Sequence, residues 1–255
     1  MNWKNLFPKE NRYFETENGI LYYAEAIETM NKFPKNFFDA IITDPPYGTT
    51  ACKWDDVIPF ENMWNELKRI RKDRTPIILF GNEPFSSMLR ISNIKEYKYD
   101  WIWIKEQGTG FLNANKQPLR SNEQIIIFYK KQSIYNPQMR KGFKPYKTKK
   151  GGLTENYRKD SVDEIITINK GERYPLNTLF FKRDKFKLHP TQKPLDLMEY
   201  LIKTYSNKND LILDFTCGSG TTLVAAEKLN RRWIGIELEE KYCKIAKQRL
   251  EEVIK

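Results

Sequence analysis

A single histidine, His189, and three cysteines, Cys52, Cys217 and Cys243, are all that this chain of 255 residues offers to a soft metal. The cysteines are widely spaced and odd in number, which argues against a disulfide framework and for a reducing cytoplasm. No paired-cysteine spacing exists for His189 to join, so no metal is expected. No apolar run approaches the roughly 20 residues of a membrane span, and the start Met1-Asn2-Trp3-Lys4-Asn5 lacks a signal-peptide core. Internal repeats and low-complexity tracts are missing as well. So is the Walker string of a glycine spacer followed by Gly-Lys-Ser/Thr, which removes the commonest triphosphate cradle.

What the chain has in excess is positive charge. Forty-four basic residues against 33 acidic ones give a net charge of +11, the balance of a protein that meets a polyanion. Between positions 139 and 159 stand Arg140, Lys141, Lys144, Lys147, Lys149, Lys150, Arg158 and Lys159, opposed only by Glu155. Phe143, Tyr146 and Tyr157 interleave with these charges, and Gly142, Gly151 and Gly152 keep the stretch pliable. A solvated lysine-rich loop is the plain alternative to a nucleic-acid surface.

Two motifs carry the chemistry. The first, Asp44-Pro45-Pro46-Tyr47, follows the apolar run Ala40-Ile41-Ile42-Thr43. A buried strand there ends in a turn whose two prolines fix φ and donate no amide hydrogen. The Asp44 carboxylate and the Pro45 carbonyl make two acceptors suited to an exocyclic amine, and the Tyr47 ring offers a face to a flat heterocycle. As turn punctuation alone, the tetrapeptide would be ordinary. The second motif is the strand-turn-helix run from Leu211 through Asp214, Phe215, Thr216, Cys217, Gly218, Ser219 and Gly220 to Thr221 and Thr222. Its glycines let backbone approach a ligand, and the apolar strand Trp233-Ile234-Gly235-Ile236 ends about twenty residues on in Glu237, placed to accept from ribose hydroxyls. Leu223 stands where a dinucleotide fingerprint has its third small residue. A nucleoside without a pyrophosphate fits best.

On these residues the chain resembles S-adenosylmethionine-dependent DNA amino-methyltransferases of the beta class, the N-4/N-6 DNA methylase family. Asp44 to Tyr47 matches the family's catalytic motif and Asp214 to Thr222 its cofactor loop. His189-Pro190-Thr191-Gln192-Lys193-Pro194 matches the segment that precedes the loop, and Ala24 to Glu28 the place of an acid near the cofactor's adenine. The chain departs from the family pattern at Phe215, Thr216 and Glu25. Arg120-Ser121-Asn122-Glu123 resembles a stretch that commonly carries His before the Glu, with no role assigned to it.

The resemblance implies an α/β, Rossmann-like class I methyltransferase fold with a seven-stranded, mostly parallel sheet, circularly permuted motif order and a basic DNA-recognition insertion. Strands are expected over 20–23, 40–43, 76–80, 99–104, 124–129, 211–214 and 233–237, and helices over 61–72, 84–91, 195–205, 221–229 and 239–253. The catalytic half would span 1–132, the target-recognition insertion 133–188 and the cofactor half 189–255. In the implied cofactor site Glu237 holds the ribose, Glu25 meets the adenine amine, Lys193 helps hold the methionine carboxylate, and Leu238 is a further cofactor-binding residue. Asp44, Asp214, Phe215, Thr216, Gly218, Gly220 and Thr221 shape the rest. Asp44 to Tyr47 would be catalytic, moving a methyl group from S-adenosylmethionine to N6 of an adenine flipped from double-stranded DNA. Asp at the first motif position resembles the adenine enzymes, whereas cytosine-N4 relatives usually carry Ser. A cytosine-N4 enzyme and a catalytically silent DNA binder are the alternatives. A homodimer and a companion restriction endonuclease are compatible partners.

Overall fold

A computed structural model describes residues 2–49, 55–150, 165–184 and 191–255. Cys52, His189, Arg158 and Lys159 lie outside the described residues, as does the side chain of Lys150. The strands are β1 (Arg12–Glu15), β2 (Gly19–Tyr23), β3 (Ala40–Thr43), β4 (Ile77–Gly81), β5 (Tyr97–Thr109), β6 (Arg120–Phe128), β7 (Tyr146–Lys150), β8 (Ile165–Asn169), β9 (Thr178–Phe180), β10 (Leu211–Asp214) and β11 (Arg232–Glu237). The helices are α1 (Ala26–Asn31), α2 (Phe60–Ile70), α3 (Phe85–Ser92), α4 (Leu195–Tyr205), α5 (Thr221–Lys228) and α6 (Glu240–Ile254). Two compact units result, one of Met1–Asn136 with Asn177–Lys255 and one of Pro137–Leu176.

The first unit holds a sheet ordered β1-β2-β11-β10-β3-β4-β6-β5-β9. Strands β2, β11, β10, β3 and β4 run parallel, and β6 is antiparallel to β4. The central strands read as unbroken apolar runs because both faces are covered. Alternate residues of one run serve opposite faces: Ala40 and Ile42 pack with Leu201, Leu223 and Ala246 of α4 to α6, while Ile41 packs with Met30, Leu67 and Leu89 of α1 to α3. On α4, Met198, Leu201, Ile202 and Tyr205 are buried as their spacing requires.

All seven expected strands are present, but among the described residues the sheet has nine. The additional β1 and β9 sit at its two edges. Edge strands bury one side at most, and Arg12–Glu15 and the three-residue Thr178–Phe180 lack the apolar runs that reveal an interior strand. Helix α2 stops at Ile70, short of the expected 72, because Arg71 turns extended at φ −76° and ψ 151°.

The second unit pairs β7 with β8, Tyr146 opposite Asn169. The Arg173 guanidinium lies 5.2 Å from the Phe143 ring and 4.7 Å from Tyr146, and Arg140 lies 5.2 Å from Phe143. The chain turns at Gly171 with φ +95°, where a Cβ would meet the Phe143 carbonyl at 2.6 Å. Lys141, Lys144, Lys147 and Lys149 are exposed there.

Candidate active site

Because β3, β10 and β11 are neighbours running the same way, with Leu213 opposite both Ile41 and Ile234, the residues after them emerge on one rim. The two motif turns are laced together there. Thr43 Oγ1 donates to Asp214 Oδ1 at 2.6 Å and accepts from the Phe215 amide at 2.9 Å. Thr216 Oγ1 donates to the Asp44 carbonyl at 3.0 Å. Asp55 accepts from the amides of Tyr47 at 2.8 Å, Gly48 at 3.1 Å and Thr49 at 2.9 Å, which anchors the turn after the two prolines.

Asp44 is not alone on that turn. Its Oδ1 accepts from the Tyr47 hydroxyl, and its Oδ2 accepts from Lys193 Nζ at 2.5 Å. Both of these partners also touch Glu123, the Tyr47 hydroxyl at 3.0 Å and Lys193 Nζ at 2.7 Å. Lys105 Nζ reaches the other oxygen of Glu123 at 2.7 Å. Glu123 belongs to β6, which pairs antiparallel to β4 with Gly81 opposite Gln124 and so enters the sheet from the rim where the parallel strands leave it. Lys105 stands on β5 one residue beyond Ile104, which faces Asn122. Two lysines and two carboxylates thus form a charge-balanced cluster, in which the side chains of Lys105, Glu123 and Lys193 are buried and Asp44 is half-buried.

Burial pushes the Asp44 carboxyl up, only partly offset by Lys193. Burial acts on Glu123 in the same sense, but Lys193 and Lys105 overcome it and hold the carboxyl at about 2. Burial and the two carboxylates push the Tyr47 phenol well above its ordinary value. The Tyr47 ring is backed by Phe85, 4.9 Å away between centroids and tilted by 31°.

Beside this cluster opens a cavity of about 350 Å³, lined by Glu25, Asp44, Lys193, Gly218, Glu237 and Leu238 among others. Its size falls in the range of small-molecule sites. Glu237 Oε2 accepts from the Gly218 amide and Oε1 from the Glu239 amide, each at 2.8 Å. Glu25 caps α1, accepting from the Glu28 amide at 2.7 Å. The glycine turn is closed by α6: a Cβ on Gly220, at φ +74°, would meet Ala246 at 2.7 Å, and Arg249 Nη1 donates to the Ser219 carbonyl at 2.7 Å.

Burial raises Glu237 to about 7 and Asp214 to about 6. Both values lie above those of the unfolded chain, so each group adds stability at low pH that is lost as pH rises through its folded value. For Glu237 the cost above pH 7 is roughly 3 kcal/mol. The cofactor-free protein is therefore expected to melt at lower temperature at pH 8 than at pH 5.5, and Glu237→Gln to flatten that slope. Melts followed across pH check this, and an unchanged slope in the variant would contradict it.

Residues 38–248 match the family model described as DNA methylase. The chain belongs to the DNA methylase family. Type II methyltransferase M2.DpnII of Streptococcus pneumoniae is 54% identical over 277 residues, covering 94% of this methylase and 92% of the relative. M.HpaI of Haemophilus parainfluenzae is 30% identical over 244 residues, covering 91% and 74%. The crystal structure of the M1.HpyAVI-SAM complex is 27% identical, with a TM-score of 0.61 over 90% of this methylase and 98% of that chain. The PvuII DNA methyltransferase, cytosine-N4-specific, superposes with a TM-score of 0.68 over 96% and 93%, at 16% identity, which speaks for the fold alone.

The methylase is thus an S-adenosylmethionine-dependent enzyme of DNA with the class I fold and permuted motif order. The cavity suits that cofactor: its carboxylates can receive ribose hydroxyls and a cationic sulfonium, and its backbone is brought close by Gly218. The structure places all eleven expected cofactor residues in one unit. Glu25, Asp44, Lys193, Asp214, Phe215, Thr216, Gly218, Thr221, Glu237 and Leu238 line the cavity, and Gly220 shapes the turn beneath it. Of the four catalytic positions, Asp44 and Pro46 line the cavity, Tyr47 bonds Asp44, and Pro45 is buried. The arrangement adds Glu123 and Lys105, which carry no motif strong enough to assign. Among the described residues no helix is long and apolar enough to cross a membrane, and no group of acidic, histidine and cysteine side chains could hold a metal.

Proposed function

We propose that this methylase modifies N6 of adenine, flipped from duplex DNA. The observation that carries the reading is Asp44, a half-buried carboxylate that lines the cofactor cavity and accepts from the Tyr47 hydroxyl. A carboxylate accepts strongly from an amine, and burial raises its affinity for the proton that methylation must release. S-adenosylmethionine supplies a methyl group made electrophilic by its sulfonium. Glu237 would receive the ribose hydroxyls, Glu25 the adenine amine and Lys193 the methionine carboxylate. The basic face of Arg140, Lys141, Lys144, Lys147 and Lys149, with Lys150, Arg158 and Lys159, would meet phosphates, which position a duplex without naming its bases.

Both oxygens of Asp44 are engaged in this structure, so the incoming amine needs a vacancy. Glu123 provides it: each group now on Asp44 already touches Glu123. Lys193 leaves Asp44 for Glu123 and the methionine carboxylate, the Tyr47 hydroxyl turns onto Glu123, and Asp44 Oδ2 and the Pro45 carbonyl take the two amine hydrogens. The nitrogen lone pair is then directed at the methyl carbon. Asp44 receives the proton lost as the new bond forms and returns it to solvent. Orientation and electrostatics lower most of the barrier, without a covalent intermediate.

Single-molecule sequencing of DNA from cells expressing the protein tests the base assignment and reveals the recognition sequence. N6-methyladenine at a fixed sequence is expected. N4-methylcytosine would replace adenine by cytosine, and unmodified DNA would leave a silent binder. In titrations, Glu237→Ala should weaken S-adenosylmethionine binding far more than DNA binding, and equal losses would remove its ribose role.

A further inference from the structure

The hairpin that joins β5 to β6 ends in two apolar side chains with no cover among the described residues. Phe111 is 80% exposed and Leu112 fully exposed, and every residue from Gly110 to Asn122 is exposed. Solvent-facing Phe and Leu side by side at a loop tip are unfavourable unless something receives them. Nor does the tip dangle. The Asn113 amide bonds the Gly110 carbonyl at 3.0 Å, Ala114 bonds Phe111 at 3.0 Å, and Lys116 and Gln117 both bond the Asn113 carbonyl, at 2.9 and 3.0 Å. Gly110 enters this turn at φ +88°, and the stem is closed so tightly that a Cβ on Gly108 would meet Leu119 at 2.7 Å. A built turn therefore holds both side chains outward.

The root of the hairpin is the catalytic cluster. Strand β5 runs parallel to β4 and leaves the sheet on the rim that carries Asp44, giving Lys105 on the way out. Strand β6 gives Glu123 on the way back. A body that brings its amine to Asp44 thus lies in the direction in which the hairpin points. The stem suits a polyanion: Glu106 is paired with Lys182 at 3.5 Å, while Lys116 and Arg120 carry positive charge beside the amides Asn113, Asn115 and Gln117.

We propose that Phe111 and Leu112 form a wedge that enters the DNA duplex at the target and fills the stack that the flipped base vacates. Apolar side chains inserted between base steps are a known means of offsetting unstacking, whose cost falls on any enzyme that takes a base out of a duplex. The inference rests on the reading of the target as a base flipped from a duplex. It makes the hairpin responsible for opening the duplex, separately from the chemistry at Asp44.

The test uses tritiated methyl transfer to synthetic duplexes carrying the mapped recognition sequence. In one the target base is paired; in the other it faces an abasic position and is already free to leave the stack. Phe111→Ala/Leu112→Ala is expected to lower kcat/KM on the paired duplex by roughly tenfold or more, and on the abasic duplex by much less. Ile91→Ala, which removes an apolar side chain 74% exposed on α3, serves as the control and should change neither. Unchanged S-adenosylmethionine binding by the double variant verifies its fold. Equal losses on the two duplexes, or no loss on either, would overturn the wedge. Wild-type protein that methylates neither duplex would overturn the functional reading, and the wedge with it.

Discussion

Replacing Asp44 by alanine is expected to abolish methyl transfer, by a factor on the order of a thousand or more, while S-adenosylmethionine still binds. The magnitude follows from what one carboxylate does here. It fixes the amine hydrogens, aims the lone pair and receives the proton, and the raised proton affinity that burial gives it serves the last step. The substitution also leaves two buried lysines facing the single charge of Glu123, so the variant should melt lower than the wild type. Asp44→Asn separates these effects, since it keeps the volume and one acceptor oxygen but neither the charge nor the proton acceptor. Its transfer rate should fall nearly as far. Single-turnover assays with saturating cofactor read the loss directly, and a rate within tenfold of wild type for either variant would remove Asp44 from the chemistry.

The interior strands and both motif turns were legible because their signals are local. A short apolar run such as residues 40–42 or 211–213, closed by turn residues, reads as a strand covered on both faces, and the residues that follow it reach the sheet's carboxyl rim. Glu237 could be placed the same way, from a strand ending in an acid at the expected distance from a glycine turn. Glu123 could not. Its position depends on β6 entering the sheet against the direction of β4, a fact of topology that the residues around Asn122 do not encode. Lys105 depends in turn on the register of β5 against β6. Asp55, which holds three amides of the turn after Pro46, lies eight residues from Tyr47 in a segment with no motif. The edge strands escaped for a different reason: half-covered strands need few apolar residues. Lys193 was assigned to the cofactor alone, yet its ammonium sits between Asp44 and Glu123. A lysine's chain position says which turn it leaves from, and its flexible stem decides which acids it meets.

Glu123→Gln is the substitution that tests whether those two acids exchange partners. The glutamine keeps an acceptor for Tyr47 but cannot hold Lys193 against the pull of Asp44, so the ammonium stays on the oxygen that the amine needs. Transfer should fall by about a hundredfold, with S-adenosylmethionine affinity changed little. Lys105 and Lys193 are then left with one carboxylate between them, and an uncompensated buried charge costs about 3–5 kcal/mol of stability. A lower melting temperature alone would thus say only that Glu123 neutralises lysines. Adding Lys105→Met to the variant restores the charge balance, and the two roles part. Stability should recover, whereas transfer should remain low because Asp44 is then the one protein carboxylate left to Lys193. Recovery of activity in the double variant would reduce Glu123 to a countercharge for Lys105. The pH profile adds an independent check: since Lys193 and Lys105 hold the Glu123 carboxyl at about 2, it is ionised throughout the working range. No acid limb of the wild-type rate between pH 5 and 8 can belong to it, and a limb in that window must come from groups that burial raises, Glu237 first among them. Glu237→Gln should therefore shift such a limb, and Glu123→Gln should lower the whole profile without moving it.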